Sequence, residues 1–219
     1  LIGDEVSDDP AHEIAALWRL YDEQLAAFAA EPKFERIARE YDFPLSYILF
    51  KMEHRGIKID PALLSNMSDE LGKEHAELEQ QMYTLAGYEF NIASPAQLSE
   101  VLFTKLQLPT AGIKKGKTGY STGQKELDKL RGQHPIIELI ERTRELAKLK
   151  NTYVDALPKL ADTHDRIHTT FNQDVASTGR LSSTNPNLQN IPVRTDLGRR
   201  IREAFIPDGD KVFISADYS

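Results

Sequence analysis

The stretch between Asp60-Pro61 and Gly87 limits most strongly what this chain can fold into. Leu71, His75, Leu78, Met82 and Leu85 step by 4, 3, 4 and 3 residues, a heptad seam along one helix face. A seam of that kind has to pack against another helix. Asp60 can cap the helix, Pro61 follows where no N–H is needed, and Gly87 supplies a stop. The spacing predicts a helix to about Ala86. A second long helix is expected to open at Pro135 and reach about Leu157, burying Ile136, Ile140, Leu149, Tyr153 and Leu157. Its other side carries Arg144, Lys148 and Asn151 at i, i+4 and i+7, one polar and basic face. Residues 107–123 are rich in glycine and carry Lys114, Lys115 and Lys117, so an exposed basic loop is expected there. The prediction is a protruding antiparallel pair of helices.

The flanks are less regular. Ile14, Leu17, Trp18, Tyr21, Leu25 and Phe28 recur at helical steps over residues 11–29, until Pro32 interrupts. A short helix over 33–42 follows. Pro44 is expected to open a third helix, with the stripe Leu45, Ile48, Leu49 and Met52, ending at Gly56. Residues 56–60 read as extended. Ser94-Pro95-Ala96-Gln97 reads as a capping box for a helix through Leu106, and Ser121 to Gln124 as another, before a short helix ending near Gly132. From Ile167 the pattern turns β-like, over 167–171 and again over Val212–Asp217, which follows a Pro207–Asp210 turn. An irregular polar segment lies between these strands. The fold class expected is α+β, mostly helical at first and strand-containing after residue 165.

Composition closes off several classes. The 219 residues are 40% hydrophobic, enough for one large domain or two smaller ones. No apolar run approaches the roughly 20 residues of a membrane span. There is no cysteine, which excludes disulfides, zinc–thiolate sites and thiol nucleophiles and fits a reducing cytoplasm. Leu1-Ile2-Gly3-Asp4-Glu5 has neither the basic nor the apolar part of a signal peptide. Without an initiator Met, the chain is expected to begin inside a longer one. The net charge of −7 is unevenly spread. Residues 1–42 carry four Lys/Arg against eleven Asp/Glu, residues 105–151 eleven against five, and residues 166–202 six against two. An acidic front joined to two basic segments leaves room for a local polyanion site.

The chemically informative run is TGRLSSTNPNLQNIP, residues 178–192. It is too polar for a core and too long for a turn, and loops of this length tend to be functional. Its one Arg, three Asn, one Gln and several hydroxyls suit the reading of polar edges; a surface loop held by Asx-turns is the plainer alternative.

That run, with Gly198-Arg199-Arg200-Ile201-Arg202-Glu203-Ala204-Phe205 and Ser215-Ala216-Asp217-Tyr218-Ser219, resembles the palm entrance of the family A DNA polymerases. The last five residues resemble the opening of motif A. Upstream, Ala147–Tyr153 resembles the second long thumb helix and Lys114–Thr122 the thumb-tip loop. Phe90–Leu98 and Met52–Asp60 match as well. The likeness is good over 43–219 and loose over 1–42.

The resemblance implies three regions. Residues 1–42 would be the end of a 3′–5′ exonuclease-like domain, 43–165 a helical thumb, and 166–219 the start of an antiparallel palm sheet, cut after the motif A aspartate. The implied activity is template-directed nucleotidyl transfer to a primer 3′-hydroxyl, in DNA replication or repair. Implied partners are primer–template DNA and, in the full-length protein, dNTP; a monomer in a bacterial cytoplasm, without a membrane, is expected. Arg180 would reach the minor groove near the primer terminus, with Asn187, Gln189 and Asn190 beside it and Thr178 and Ser182 assisting. Purine N3 and pyrimidine O2 are acceptors in every base pair, so donors there test shape without reading sequence. Lys114, Lys115, Lys117 and Ser121 at the tip, and Lys148, Asn151 and Thr152 on the helix, would grip phosphates. Asp217 would be the catalytic carboxylate, binding Mg²⁺ in a two-metal site, with the Tyr218 carbonyl as a further ligand. One carboxylate does not complete such a site. The second acid and the nucleotide-gripping residues of the family lie beyond Ser219, so the fragment alone is expected to be inactive. In 1–42 position 5, four before Asp9, is Glu, where an active exonuclease would need Tyr. His12 and His54 are expected on the surface and His75 partly buried. The alternatives are a non-catalytic DNA-binding module and a helical interaction protein with no DNA role.

Overall fold

A computed structural model describes residues 10–117 and 119–217. They divide between two units, one joining Leu1–Arg55 to Thr170–Thr184, the other joining Gly56–Thr169 to Asn185–Ser219. The architecture is α+β, helices with small two-stranded antiparallel sheets.

The first unit opens with α1 (Pro10–Ala30), which follows the predicted span but has no buried residue. Its apolar stripe lies open, Leu17 at 64% and Trp18 at 62% exposure. Next come α2 (Pro32–Ile37) and α3 (Phe43–Arg55), joined by a π-helical turn at Ala38–Asp42. Pro44 was expected to open a helix; instead the helical backbone runs past it. Proline has no N–H to offer the carbonyl four residues back, and its ring crowds that carbonyl. The wider turn just before it, closed by Phe43 N–H to Ala38 O, relieves both problems. Of the stripe expected on α3, only Leu49 is buried.

The second unit begins at Gly56, whose φ is +63° and whose missing Cβ would lie 2.7 Å from Ile167 O. No other residue fits there. β1 (Ile57–Lys58) pairs antiparallel with β4 (Arg166–Ile167). Asp60 Oδ1 accepts the Leu63 N–H at 2.9 Å and starts α4 (Pro61–Ala86). Gly87, at φ +82°, ends it with its N–H on Tyr83 O. After α5 (Pro95–Ser99) and a π-helical turn at Glu100–Lys105 comes a hairpin, β2 (Lys115–Gly116) with β3 (Gly119–Tyr120). The Ser94 box is half made: its hydroxyl accepts the Gln97 N–H, but Gln97 Oε1 turns to the Asn91 N–H.

α6 (Gln124–Leu130) is capped by Gly123, not by Ser121 as predicted. Ser121 Oγ accepts the Gly123 N–H and donates to Glu126, because Ser121 is still held in the hairpin stem by its own N–H to Lys114 O. α7 (Ile136–Leu149) continues through a π-helical turn at Lys150–Val154, and α8 (Leu157–Leu160) follows after a break. α4 and α7 pack along each other as the heptad seam requires. Leu64, Met67, Leu71, Leu78 and Met82 meet Ile136, Ile140, Leu146, Leu149 and Tyr153 in one apolar cluster. Arg142 bonds Glu74 at 2.7 Å, and Lys150 bonds Ser68 at 2.8 Å and Asp155 at 2.7 Å, so the two helices run antiparallel.

The predicted strand at 167–171 is split between the units. β5 (Thr170–Asn172) pairs with β6 (Ser182–Thr184), a strand inside the segment expected to be irregular. In that first unit the Phe171 N–H donates to Glu53 Oε1 at 2.6 Å, and Gln173 bonds Ser46, tying the hairpin to α3. In the second unit, Thr195 caps α9 (Asp196–Glu203), which buries Leu197, Gly198 and Ile201. A Cβ on Gly198 would lie 2.5 Å from Pro192 O, so the loop packs on bare helix backbone. The strand predicted over Val212–Asp217 is not formed: residues 211–217 pair with no strand among the described residues. A strand needs a neighbouring backbone to satisfy its N–H and C=O groups. Here the apolar residues stay in solvent, Ile214 at 89% exposure.

Candidate nucleic-acid interface

The tip between α5 and α6 is an ordered hairpin rather than the open loop the composition suggested. Lys115 faces Tyr120 across the ladder, its Nζ 5.4 Å from the ring centre. Tyr120 in turn leans on Phe103, ring centres 5.0 Å apart. Lys114, Lys115 and Lys117 are all exposed. Ser121, grouped with them by sequence, spends its hydroxyl on Gly123 and Glu126.

On α7 and the turn after it, Lys148, Asn151 and Thr152 lie exposed while Leu149, Tyr153 and Val154 turn inward. Arg144 leaves the face predicted for it. Its guanidinium donates to both the carbonyl and the hydroxyl of buried Thr122. Burial lowers its pKa from the usual arginine value.

The polar run folds around apolar anchors. In the second unit Ile191 is buried and Leu188 partly so, which leaves Asn187, Gln189 and Asn190 exposed. Asn187 Oδ1 accepts the Gln189 N–H at 3.0 Å, the Asx-turn of the plainer reading. Thr169 donates to Pro186 O at 2.8 Å and fastens the start of the loop. In the first unit Thr178 and Arg180 are exposed in the β5–β6 connection, whereas Ser182 is half-buried and its hydroxyl receives the Asn172 amide. The exposed set thus keeps the donors Arg180, Asn187, Gln189 and Asn190, distributed over both units.

Asp217 is exposed at the end of the described chain, and Tyr218 lies outside the described residues. The strand expected to mount Asp217 is not formed. Among the described residues no three His, Asp or Glu side chains come together in a way that could hold a metal ion. Magnesium asks for octahedral oxygen ligation, and this donor set does not supply it. His54 is exposed and stacks on Phe50, and half-buried His75 sits 3.6 Å from Glu79. Positions 5 and 9, compared with an exonuclease motif above, lie outside the described residues. No described helix is long and apolar enough to cross a membrane.

Two features had no sequence signal strong enough to find. The Glu53 carboxylate that holds β5 looks in sequence like any exposed helical acid. Arg166, which bonds both Asp208 at 2.6 Å and Gly56 O at 3.1 Å, joins three segments far apart in the chain.

Comparison with known proteins gives concordant results. The model of DNA polymerase family A matches residues 61–219. A DNA polymerase I of Synechocystis is 52% identical over 189 residues, 86% of this chain and 19% of that protein. The thermostable DNA polymerase I of Thermus caldophilus is 47% identical over 219 residues, 99% of this chain and 26% of that protein. A solved structure, the POL domain of Pol1 from M. smegmatis in complex with DNA primer–template and dNTP, superposes with a TM-score of 0.68 at 43% identity. It covers 75% of this chain and 29% of that one. The chain therefore spans about a quarter or less of the curated relatives named here.

Proposed function

The chain belongs to DNA polymerase family A, and from that membership we propose that it is the primer–template-holding part of a template-directed DNA polymerase. The observation that carries this reading is the solved relative bound to primer–template and dNTP, which shares 43% of its residues with this chain over the matched part. Residues 1–42 are read as the end of an exonuclease-like domain, 43–165 as the thumb and 166–219 as the start of the palm.

In this reading the exposed lysines of the hairpin and Lys148, Asn151 and Thr152 meet phosphates. Such contacts position the duplex and release counterions. Arg180, Asn187, Gln189 and Asn190 donate to minor-groove acceptors, which all four base pairs present. Ser121 and Ser182 act indirectly, by shaping the turns that carry these groups. Asp217 would be one carboxylate ligand of a magnesium site that other acids must complete. The metal, when bound, would supply activation of the primer hydroxyl and stabilisation of the leaving group. The chain by itself is expected to bind primer–template as a monomer and to catalyse no nucleotidyl transfer.

Fluorescence anisotropy with a labelled primer–template tests the reading. Binding should weaken steeply from about 50 to 200 mM salt, and Arg180→Ala should weaken it further. No binding at the lower salt would overturn the proposal. Primer extension by the purified chain with Mg²⁺ and dNTP would overturn the statement that it is inactive alone.

A further inference from the structure

Arg144 was expected on the outward basic face of the second long helix, yet its guanidinium turns to the segment that leaves the basic hairpin. It donates to Thr122 O and, at 3.2 Å, to Thr122 Oγ1. Among the described residues its hydrogen-bond partners include no carboxylate, and Thr122 is only 4% exposed. Thr122 follows Ser121, whose N–H closes the hairpin stem on Lys114 O at 2.7 Å. The other side of the hairpin is also held. Tyr120 packs on Phe103, and a Cβ on Gly119 would lie 2.8 Å from Ser99 Oγ. Between Arg144 and the stem lies a cleft of about 430 Å³ lined by Lys114, Tyr120, Ser121 and Thr122 among others. Among the described residues the hairpin is thus bracketed, by apolar and close contacts towards α5 and by a two-pronged hydrogen bond towards α7. A guanidinium suits that second bracket because it can hold two acceptors in one plane.

We propose that Arg144 is a positioning residue for duplex binding: it fixes the lysine-bearing hairpin against α7 and does not itself meet a phosphate. The proposal rests on the reading of the chain as a primer–template holder. It separates two roles that the basic face at 144, 148 and 151 would otherwise merge. A phosphate ligand displaces counterions and contributes to the salt dependence of binding; a bracket does not.

The test compares Arg144→Met and Thr122→Val with Lys117→Gln, in the 219-residue chain. Amide exchange at Ser121 is measured without DNA, and affinity for a primer–template duplex at several salt concentrations. Arg144→Met should speed exchange at Ser121 and weaken binding on the order of tenfold, with the slope of log K against log salt unchanged. Lys117→Gln should leave the exchange as it is and reduce that slope by about 0.9. Arg144→Lys should restore part of the protection, since an ammonium reaches one acceptor well but not both. Thr122→Val keeps the carbonyl acceptor and should show a smaller change in the same direction; it carries the test should Arg144→Met not fold. A slope reduced by about 0.9 in Arg144→Met, with exchange unchanged, makes Arg144 a phosphate ligand and overturns the proposal. Unchanged exchange in both Arg144→Met and Thr122→Val overturns the bracket alone. Failure of the unsubstituted chain to bind duplex overturns the functional reading, and with it the binding half of this one.

Discussion

α1 and α4 look alike in sequence and differ in what their apolar faces meet. Both carry apolar residues at steps of three and four. In α4 those residues meet α7, and Leu71, Leu78 and Met82 are buried. In α1 none is buried. α4 is closed at both ends, by the Asp60 carboxylate and by Gly87. α2, beside α1 in the chain, starts at Glu31 with no side-chain cap. Periodicity announces a helix with one apolar face; it does not say whether that face has a partner. Most helix stability in proteins comes from packing, so the two regions should respond to the same substitution to very different extents.

The sharpest way to break this contrast is a matched pair of truncations. Leu71→Ala should cost about 2–5 kcal/mol, the range for a buried leucine that leaves a cavity. Leu17→Ala should stay within roughly 0.5 kcal/mol, as for a surface change. Urea unfolding of both variants measures the difference; equal losses would mean that the α1 stripe is buried after all. A smaller effect is expected at the caps. Asp60→Ala should lower stability by about 1 kcal/mol, since the Leu63 N–H loses its acceptor, whereas Glu31→Ala removes no cap bond. Thermal unfolding midpoints that moved together would contradict this.

The mildest effect concerns acid. Asp162 accepts the N–H groups of His164 and Arg166, at 2.8 and 2.9 Å, in the turn that leads into β4. The Arg166 backbone bond, foremost, holds its pKa down at about 2, against 3.8 ordinarily, with further lowering from the His164 N–H and the His168 ring. A folded-state value below the unfolded one stabilises the fold above the unfolded pKa. That contribution is lost as the pH falls through about 4 towards 2. Asp162→Asn should therefore be less stable than the unsubstituted chain at pH 6, by an amount that shrinks towards pH 2. A gap that widened in acid would refute the assignment.

Much of this molecule was written locally. The span of α4, its two caps, the turn at 207–210 and the helical start of α7 each depend on neighbours within a few residues, and each appears where the sequence placed it. The exposure of the polar run was also legible, because alternating anchors and amides in one loop leave a local pattern: Leu188 and Ile191 go in, Asn187, Gln189 and Asn190 stay out. What failed were statements that needed a partner from elsewhere in the chain. Val212–Asp217 has strand composition but pairs with no described segment. Pro44 has the sequence of a helix start but sits inside a helix widened to take it.

The same division separates the residues proposed to meet DNA. That Lys114, Lys115 and Lys117 would be exposed was determined by the sequence alone, since three cations among glycines cannot form a core. That Arg144 would not join them was decided only by the tertiary structure. Its three-residue and four-residue neighbours on α7 say nothing of Thr122, 22 positions away, and the free energy of a desolvated guanidinium depends on the acceptors that surround it. Short-range geometry sets where a helix begins and which way a side chain leaves it. Whether that side chain then finds water, an apolar face or a carbonyl is a property of the assembled fold.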